Sequence, residues 1–242
     1  VIFSLLSASL LALRGLLPGP PAKDTDCQQH VDRAYQQLAR WQHIPAGQVL
    51  VLHFAAETTS RPPGTKTPTT STSHFTLMSR QGQSYLATGD TEIYQDGKVQ
   101  VSIARAQRTI LLTASQPNTP NALSQWVQMR EQVQHQTTIT ACTLPAKPGG
   151  QRLIVARPLV GSALIGKVAS ITYLLDARTD ALRKMTMYYP LDYGVSSVAL
   201  VIESQQYTAQ AASLQGSALS HVLGPDKQLL PAYRHYQLQD QR

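Results

Sequence analysis

Charge is scarce in this chain. Only 14% of its 242 residues are Asp, Glu, Lys or Arg, against roughly a quarter in ordinary globular proteins; glutamine, serine and threonine supply the remaining polarity. There are two cysteines, Cys27 and Cys142, and no CxxC pair, which leaves a redox centre without support. Histidines at 30, 43, 53, 74, 135, 221 and 235 show neither HExxH nor another metal-ligand spacing. His53 lies in an apolar run and reads as a core histidine. Residues 216–221, GSALSH, lack the final glycine and preceding strand of a nucleophile elbow. Residues 161–168, GSALIGKV, place Lys167 as a phosphate loop would, but put Val168 where Ser or Thr must hold magnesium and precede a strand where the phosphate site needs a helix. Acids such as Asp90 and Glu92 sit at turns, where they serve solubility. No catalytic centre and no cofactor are expected.

The net charge of +7 and the pI near 9.5 raise nucleic acid as a partner, but the Lys and Arg residues are scattered, with no basic run and no aromatic-plus-basic motif. Nucleic acid is therefore not expected. Residues 1–17 are nearly all apolar apart from serines and Arg14, and Pro18, Gly19, Pro20 and Pro21 end any helix there. The run is shorter than the ~20 residues of a membrane span and has the character of a signal-peptide core. The expected organisation is a signal-like segment, 1–22, followed by a single domain, 23–242, exported to the periplasm and not membrane-spanning after signal removal. Export makes a Cys27–Cys142 disulfide available; two buried thiols are the alternative.

Along the chain, Asp24, Thr25 or Asp26 caps a helix whose Val31, Ala34, Tyr35, Leu38 and Ala39 form one apolar stripe ending before Pro45. From Gly47 a strand follows that is apolar on both alternating sets, as if covered on both faces. Residues 61–72, rich in Pro, Gly and Thr, read as a long loop and a candidate lid. Strands at 74–79, 84–88, 91–95, 98–104 and 109–113 form a meander with a strong turn at Asp96-Gly97. Thr119-Pro120 starts a second helix carrying Leu123, Trp126, Val127 and Arg130. A loop leads to Gly149-Gly150, then come strands at 152–157 and 195–207 and a closing strand within 229–238. Between the last strands lies a hairpin turning at Asp176 to Asp180. Ile171, Tyr173 and Leu175 alternate in its first arm, Met185, Met187 and Tyr189 in its second. One face of this pair is apolar and must be covered by a helix, a second sheet or a ligand.

The order of a capped amphipathic helix, a long apolar strand, a meander through Tyr94-Gln95-Asp96-Gly97-Lys98, a helical interruption and a hairpin running LRKMTMYYP at 182–190 resembles the periplasmic lipoprotein carrier superfamily, LolA-like and LolB-like. The resemblance covers roughly 24–207. It implies an α+β, mostly β fold: a curved antiparallel sheet, a half-open barrel, with helices covering its concave face and an apolar cavity that takes up acyl chains. The family's lid arginine has no matching motif here, although Arg61 lies in a loop that could supply one. The expected ligand-binding residues are Phe75, Leu77, Ile171, Tyr173, Met185, Met187 and Tyr189, joined by Met78 if it shares the face of Leu77. The expected function is a non-enzymatic carrier or receptor of lipid or lipoprotein acyl chains, with envelope proteins as further partners. The alternative is an envelope sensor or scaffold that binds a protein and has no ligand cavity.

Overall fold

The computed structural model describes residues 25–61, 65, 67–115, 133–143, 150–190 and 194–242. Helix α1 (Thr25–Arg40) carries Asp26 in its first turn and Arg40 in its last, each charge complementing the helix dipole. It is followed by β1 (Val49–Ser60), β2 (Thr69–Arg80), β3 (Gln83–Thr88), β4 (Thr91–Gln95), β5 (Val99–Ala104) and β6 (Thr109–Ala114), then β7 (Thr137–Cys142), β8 (Gln151–Pro158), β9 (Ser170–Asp176), β10 (Leu182–Tyr188), β11 (Val195–Thr208) and β12 (Gln237–Gln241). These form one open sheet of 12 strands in the order β12-β6-β5-β4-β3-β2-β1-β11-β10-β9-β8-β7. Two antiparallel meanders, β1 to β6 and β7 to β11, are joined by the long pairing of β1 with β11. β12 alone runs parallel to its neighbour, β6. The fold is mostly β, an open half-barrel sheet with a helix on one face.

Alternation in β1 sorts its side chains to two covered faces. Leu50, Leu52 and Phe54 join Val31, Ala34, Tyr35 and Leu38 of α1, and Trp41 just after it, in the main core. Val49 and Val51 face the other way, against Leu214, Met78 and Tyr85. On that second face a cross-strand row runs Val51, Met78, Tyr85, Tyr94, Val101, Leu112. The C-terminal segment covers it through single turns of 3₁₀ helix at Ala212–Leu214, Ala218–His221 and Pro231–Tyr233, which lay Ala218 and Val222 over Val99, Val101, Ile103, Ile110 and Leu112. Asp96 secures this cover: one carboxylate oxygen accepts from Lys98 N and Val99 N within its own turn, the other from Ala218 N at 2.8 Å.

His221 lies in this cover, its ring stacked on Tyr94 with centroids 4.1 Å apart. Desolvation by burial pushes its pKa down, opposed in part by a hydrogen bond to the Gln215 backbone and by the charge of Glu92. A histidine depressed in the folded state contributes stability that is present above its unfolded pKa and lost as pH falls through the folded value. Amide exchange over 212–236, corrected for intrinsic rates, should therefore be faster near pH 5 than near pH 7.5, on either side of the ordinary histidine pKa of about 6.5. His221→Phe should abolish that difference; an equal pH dependence in His221→Phe would refute the assignment.

The structure corrects several local expectations. Residues 69–72 are strand, not loop: Thr69 to Thr72 pair with Ser60 to Glu57, and hydroxyls meet across the ladder, Thr59 with Thr70 at 3.0 Å and Ser60 with Thr69 at 3.3 Å. Both faces of this extension are polar, so no hydrophobic period marks it; of the rest of the candidate lid, 62–64 and 66 lie outside the described residues. Likewise β7 occupies a stretch read as loop. The closing strand lies further on than expected, at Gln237–Gln241, because Pro231, with no N–H to donate, opens a 3₁₀ turn instead. The helix covers one side of β1, as expected, and the other side is covered by the irregular C-terminal tail. The helix expected from Thr119, with Leu123, Trp126, Val127 and Arg130, and the signal-like segment 1–22 lie outside the described residues. Among the described residues, no helix is long and apolar enough to cross a membrane.

Candidate ligand-binding face

The central hairpin positions the candidate site. Its turn is closed by Asp176, whose Oδ1 accepts from Arg178 N, Thr179 N and the Thr179 hydroxyl. Arg183 donates to the other oxygen at 2.9 Å. Bonded by Arg183 and Thr179, the Asp176 carboxyl is lowered to about 2. With the turn set, period-2 alternation aims Ile171, Tyr173 and Leu175 of β9 inward, and Met185 and Met187 of β10 pair directly with Tyr173 and Ile171. The same inward row continues to Ile154 and Ala156 on β8 and to Leu200 on β11.

All seven expected lining residues meet one apolar cluster beneath α1. Phe75, Leu77, Ile171, Tyr173, Met185 and Met187 are buried in it, and Tyr189 packs against it. Phe75 stacks on Phe54 with centroids 4.9 Å apart, and the Tyr173 ring meets Tyr35 of α1 edge to face at 6.0 Å. The Tyr35 hydroxyl donates to Tyr173 Oη at 3.4 Å and lies 3.7 Å from Met185 Sδ, both long contacts. Complete burial, with the neighbouring Tyr35, raises the Tyr173 pKa well above its ordinary value, so its phenol stays neutral. Met78 does not belong here. Strand alternation turns it away from Leu77 to the opposite face, beside Val51 and Tyr85. Leu164 and Val168 anchor the connection between β8 and β9 in the same cluster; no period marks them in the sequence, since the segment folds as a series of turns.

A polar clamp holds α1 on this face. Asp180 Oδ1 accepts from Arg152 Nη1 at 2.5 Å, and Oδ2 accepts from Arg33 Nε at 2.7 Å. His30 Nδ1 lies 2.8 Å from Asp180 Oδ1, 2.7 Å from Arg33 Nη2 and 2.9 Å from Arg152 Nη1. A protonated Nδ1 donates to the carboxylate; an unprotonated one accepts from the guanidiniums. Burial alone would raise the Asp180 carboxyl, but hydrogen bonds from His30 and Arg33 and their charges outweigh it and hold the pKa below the usual range. Sequence reading placed Asp180 in a turn without these partners. The clamp is joined by the Cys27–Cys142 disulfide, which ties the start of α1 to β7.

Among the described residues no group of three or more His, Cys, Asp or Glu stands where it could hold a metal. Ser217 caps a 3₁₀ turn, its hydroxyl accepting from Ser220 N, and the loop at 161–168 leads into strand β9.

No protein-family model matches the sequence, and no curated protein matches it either. Solved structures do match. MucB in the MucA/MucB complex of Pseudomonas aeruginosa aligns with 85% of this chain at 14% identity and a TM-score of 0.41, and the chain spans 63% of that chain's length. A LolA superfamily protein from Nitrosomonas europaea aligns with 74% of this chain and 94% of its own at 8% identity and a TM-score of 0.28. An outer membrane lipoprotein-sorting protein domain from Vibrio parahaemolyticus aligns with 76% and 94% at 8% identity and 0.33. The chain is similar to LolA superfamily proteins. None of these matches assigns a ligand or partner to this chain.

Proposed function

We propose that this chain is an exported, non-enzymatic binding protein that takes up the acyl chains of a lipid-modified protein, or another amphiphile, between α1 and the inner face of its sheet. The observation that carries this reading is the seam of Tyr35, Tyr173, Met185, Met187 and Tyr189 beneath α1. Thioethers with several rotatable bonds repack around varied apolar shapes. Acyl chains bind such a surface at roughly 0.8 kcal/mol per buried CH₂ without any polar motif. The disulfide and the signal-like start support a periplasmic setting. A second reading, a scaffold that binds a protein with its interior filled by its own side chains, is favoured by one observation: Met185 and Met187 are only 7% and 8% exposed.

Met187→Trp separates the two. In a carrier, the indole occupies ligand space, so affinity for a fluorescent fatty acid should fall at least roughly tenfold, about the transfer free energy of one displaced side chain, while melting changes little. In a filled core the same ring overpacks the interior and costs about 1–3 kcal/mol of stability, with no probe affinity to lose. Unchanged affinity in the folded variant, or no probe binding by the parent, would sink the carrier reading.

A further inference from the structure

The connection between β8 and β9, residues 159–169, is a built element whose apolar tips face solvent. Successive turns are closed by Ser162 N to Leu159 O, Ile165 N to Ser162 O, and Lys167 N and Val168 N to Leu164 O, and Leu159 N donates to Gln136 O. Gly161 and Gly166 supply the left-handed φ values, 81° and 73°, that let the chain fold back twice. Leu164 and Val168 point into the main core and hold the loop in place. Between those anchors Val160 is 83% exposed and Ile165 52%, the two most exposed large apolar side chains among the described residues. The fold does not need them there, since a polar residue at either position would satisfy the same turns.

Charge selects what covers them. Of the cations on β8 and this loop, Arg152 lies at the far end of the sheet beside the 176–180 turn, which leaves Arg157 and Lys167 at this end. Arg152 is used in the clamp; Arg157 is exposed and Lys167 half-buried. Tyr188, 42% exposed, pairs with Ser170 just after the loop. The same end of the sheet carries the β1–β2 connection, whose Arg61 N donates to Gly194 O and so joins it to the start of β11. The acid of the intervening turn, Asp192, lies outside the described residues. Apolar tips, a tyrosine at their margin and an excess of cations are the side-chain set that partitions to the headgroup region of an anionic bilayer. We propose that the 159–169 loop is a peripheral docking surface for an anionic lipid membrane, with Val160 and Ile165 entering the interface and Lys167 and Arg157 meeting headgroup phosphates. This goes beyond the ligand reading above and does not depend on it.

The apolar 1–17 segment would by itself carry the full chain to vesicles, so the test must report on the loop locally. Ile165→Trp in the full chain is titrated with phosphatidylcholine vesicles containing phosphatidylglycerol, and with phosphatidylcholine alone. The expected result is a blue-shifted emission, quenched by brominated lipid, that the parent's Trp41 and Trp126 do not show. It should appear with the anionic vesicles and weaken with added salt as screening shortens. Adding Val160→Ser should raise the half-saturating lipid concentration roughly tenfold, the loss expected for one buried apolar side chain, and Lys167→Gln should raise it several-fold. Val160 and Ile165 are exposed, Lys167 is half-buried, and none of them belongs to the clamp or the seam, so melting temperature and fatty-acid probe affinity should stay at parental values, which keeps failure here distinct from failure of the carrier reading. Emission unchanged by anionic vesicles would overturn the proposal. A blue shift without vesicles that grows with protein concentration would overturn it in favour of an interface between copies of this chain.

Discussion

Removing the Cys27–Cys142 bridge should lower the free energy of unfolding by about 4–5 kcal/mol, the value chain entropy assigns to closing a loop of roughly a hundred residues. The two cysteines are separated by 115 positions, and their Cα atoms lie 6.2 Å apart. The effect acts mainly on the unfolded chain, which gains freedom when a loop spanning nearly half the sequence opens. It also acts locally, because the bond fastens α1 to β7, an edge strand paired on one side by β8 alone. The measurement is denaturant unfolding of the parent and of the Cys27→Ser, Cys142→Ser double variant. A difference below about 1 kcal/mol would mean that native strain or residual denatured structure cancels the entropic gain. The same bond tests compartment: non-reducing digestion of envelope-extracted protein should yield the linked peptide pair, and free thiols there would remove this support for export.

Asp180→Asn should cost about 3–5 kcal/mol, on the order of 10 °C in melting temperature, because it leaves a buried cation without its counter-charge. The Arg152 side chain is 9% exposed and the Asp180 side chain 11%, so solvent does little to compensate. Asparagine suits the backbone at this position, where φ is 56°, so the substitution isolates the charge from backbone strain. The sign with pH is fixed by the same contacts. Held below its ordinary value, Asp180 contributes stability that is present above the unfolded aspartate pKa of about 3.9 and lost as pH falls through the folded value. The stability difference between parent and Asp180→Asn should therefore narrow in acid. A loss under about 1 kcal/mol at neutral pH, or a gap that widens below pH ~4, would show that Arg152 finds another partner and that the clamp is not what holds α1 down.

The hairpin from Ser170 to Tyr188 was legible because each arm writes its burial in its own alternation and Asp176 carries the turn chemistry within five residues. The apolar set Ile171, Tyr173, Met185 and Met187 could be read from it directly. The outer ends of β1 and β2 were not legible, since strands with two polar faces leave no period to detect; in β7 a bulge between Ile139 and Ala141 breaks the alternation, although Ile139 and Cys142 both pack on the core. Met78 shows the limit of residue type: a methionine suited to the inner face stands one position out of phase with Leu77, and phase decides. The clamp was hidden for another reason. Asp180 meets His30, Arg33 and Arg152 at separations from 28 to 150 positions, and no local signal connects them.

The sequence by itself determined where chain segments extend, where they turn and which residues within a strand share a side, because steric alternation and turn chemistry act over a few residues. Tertiary structure decided the rest. It set β11 beside β1, laid β12 parallel along β6, brought Cys27 to Cys142, and assigned one side of β1 to α1 and the other to the C-terminal tail. Alternation defines two sides of a strand but not which of them faces the helix. That choice is made by contacts between distant segments, whose free energy depends on simultaneous burial and charge pairing across the whole sheet.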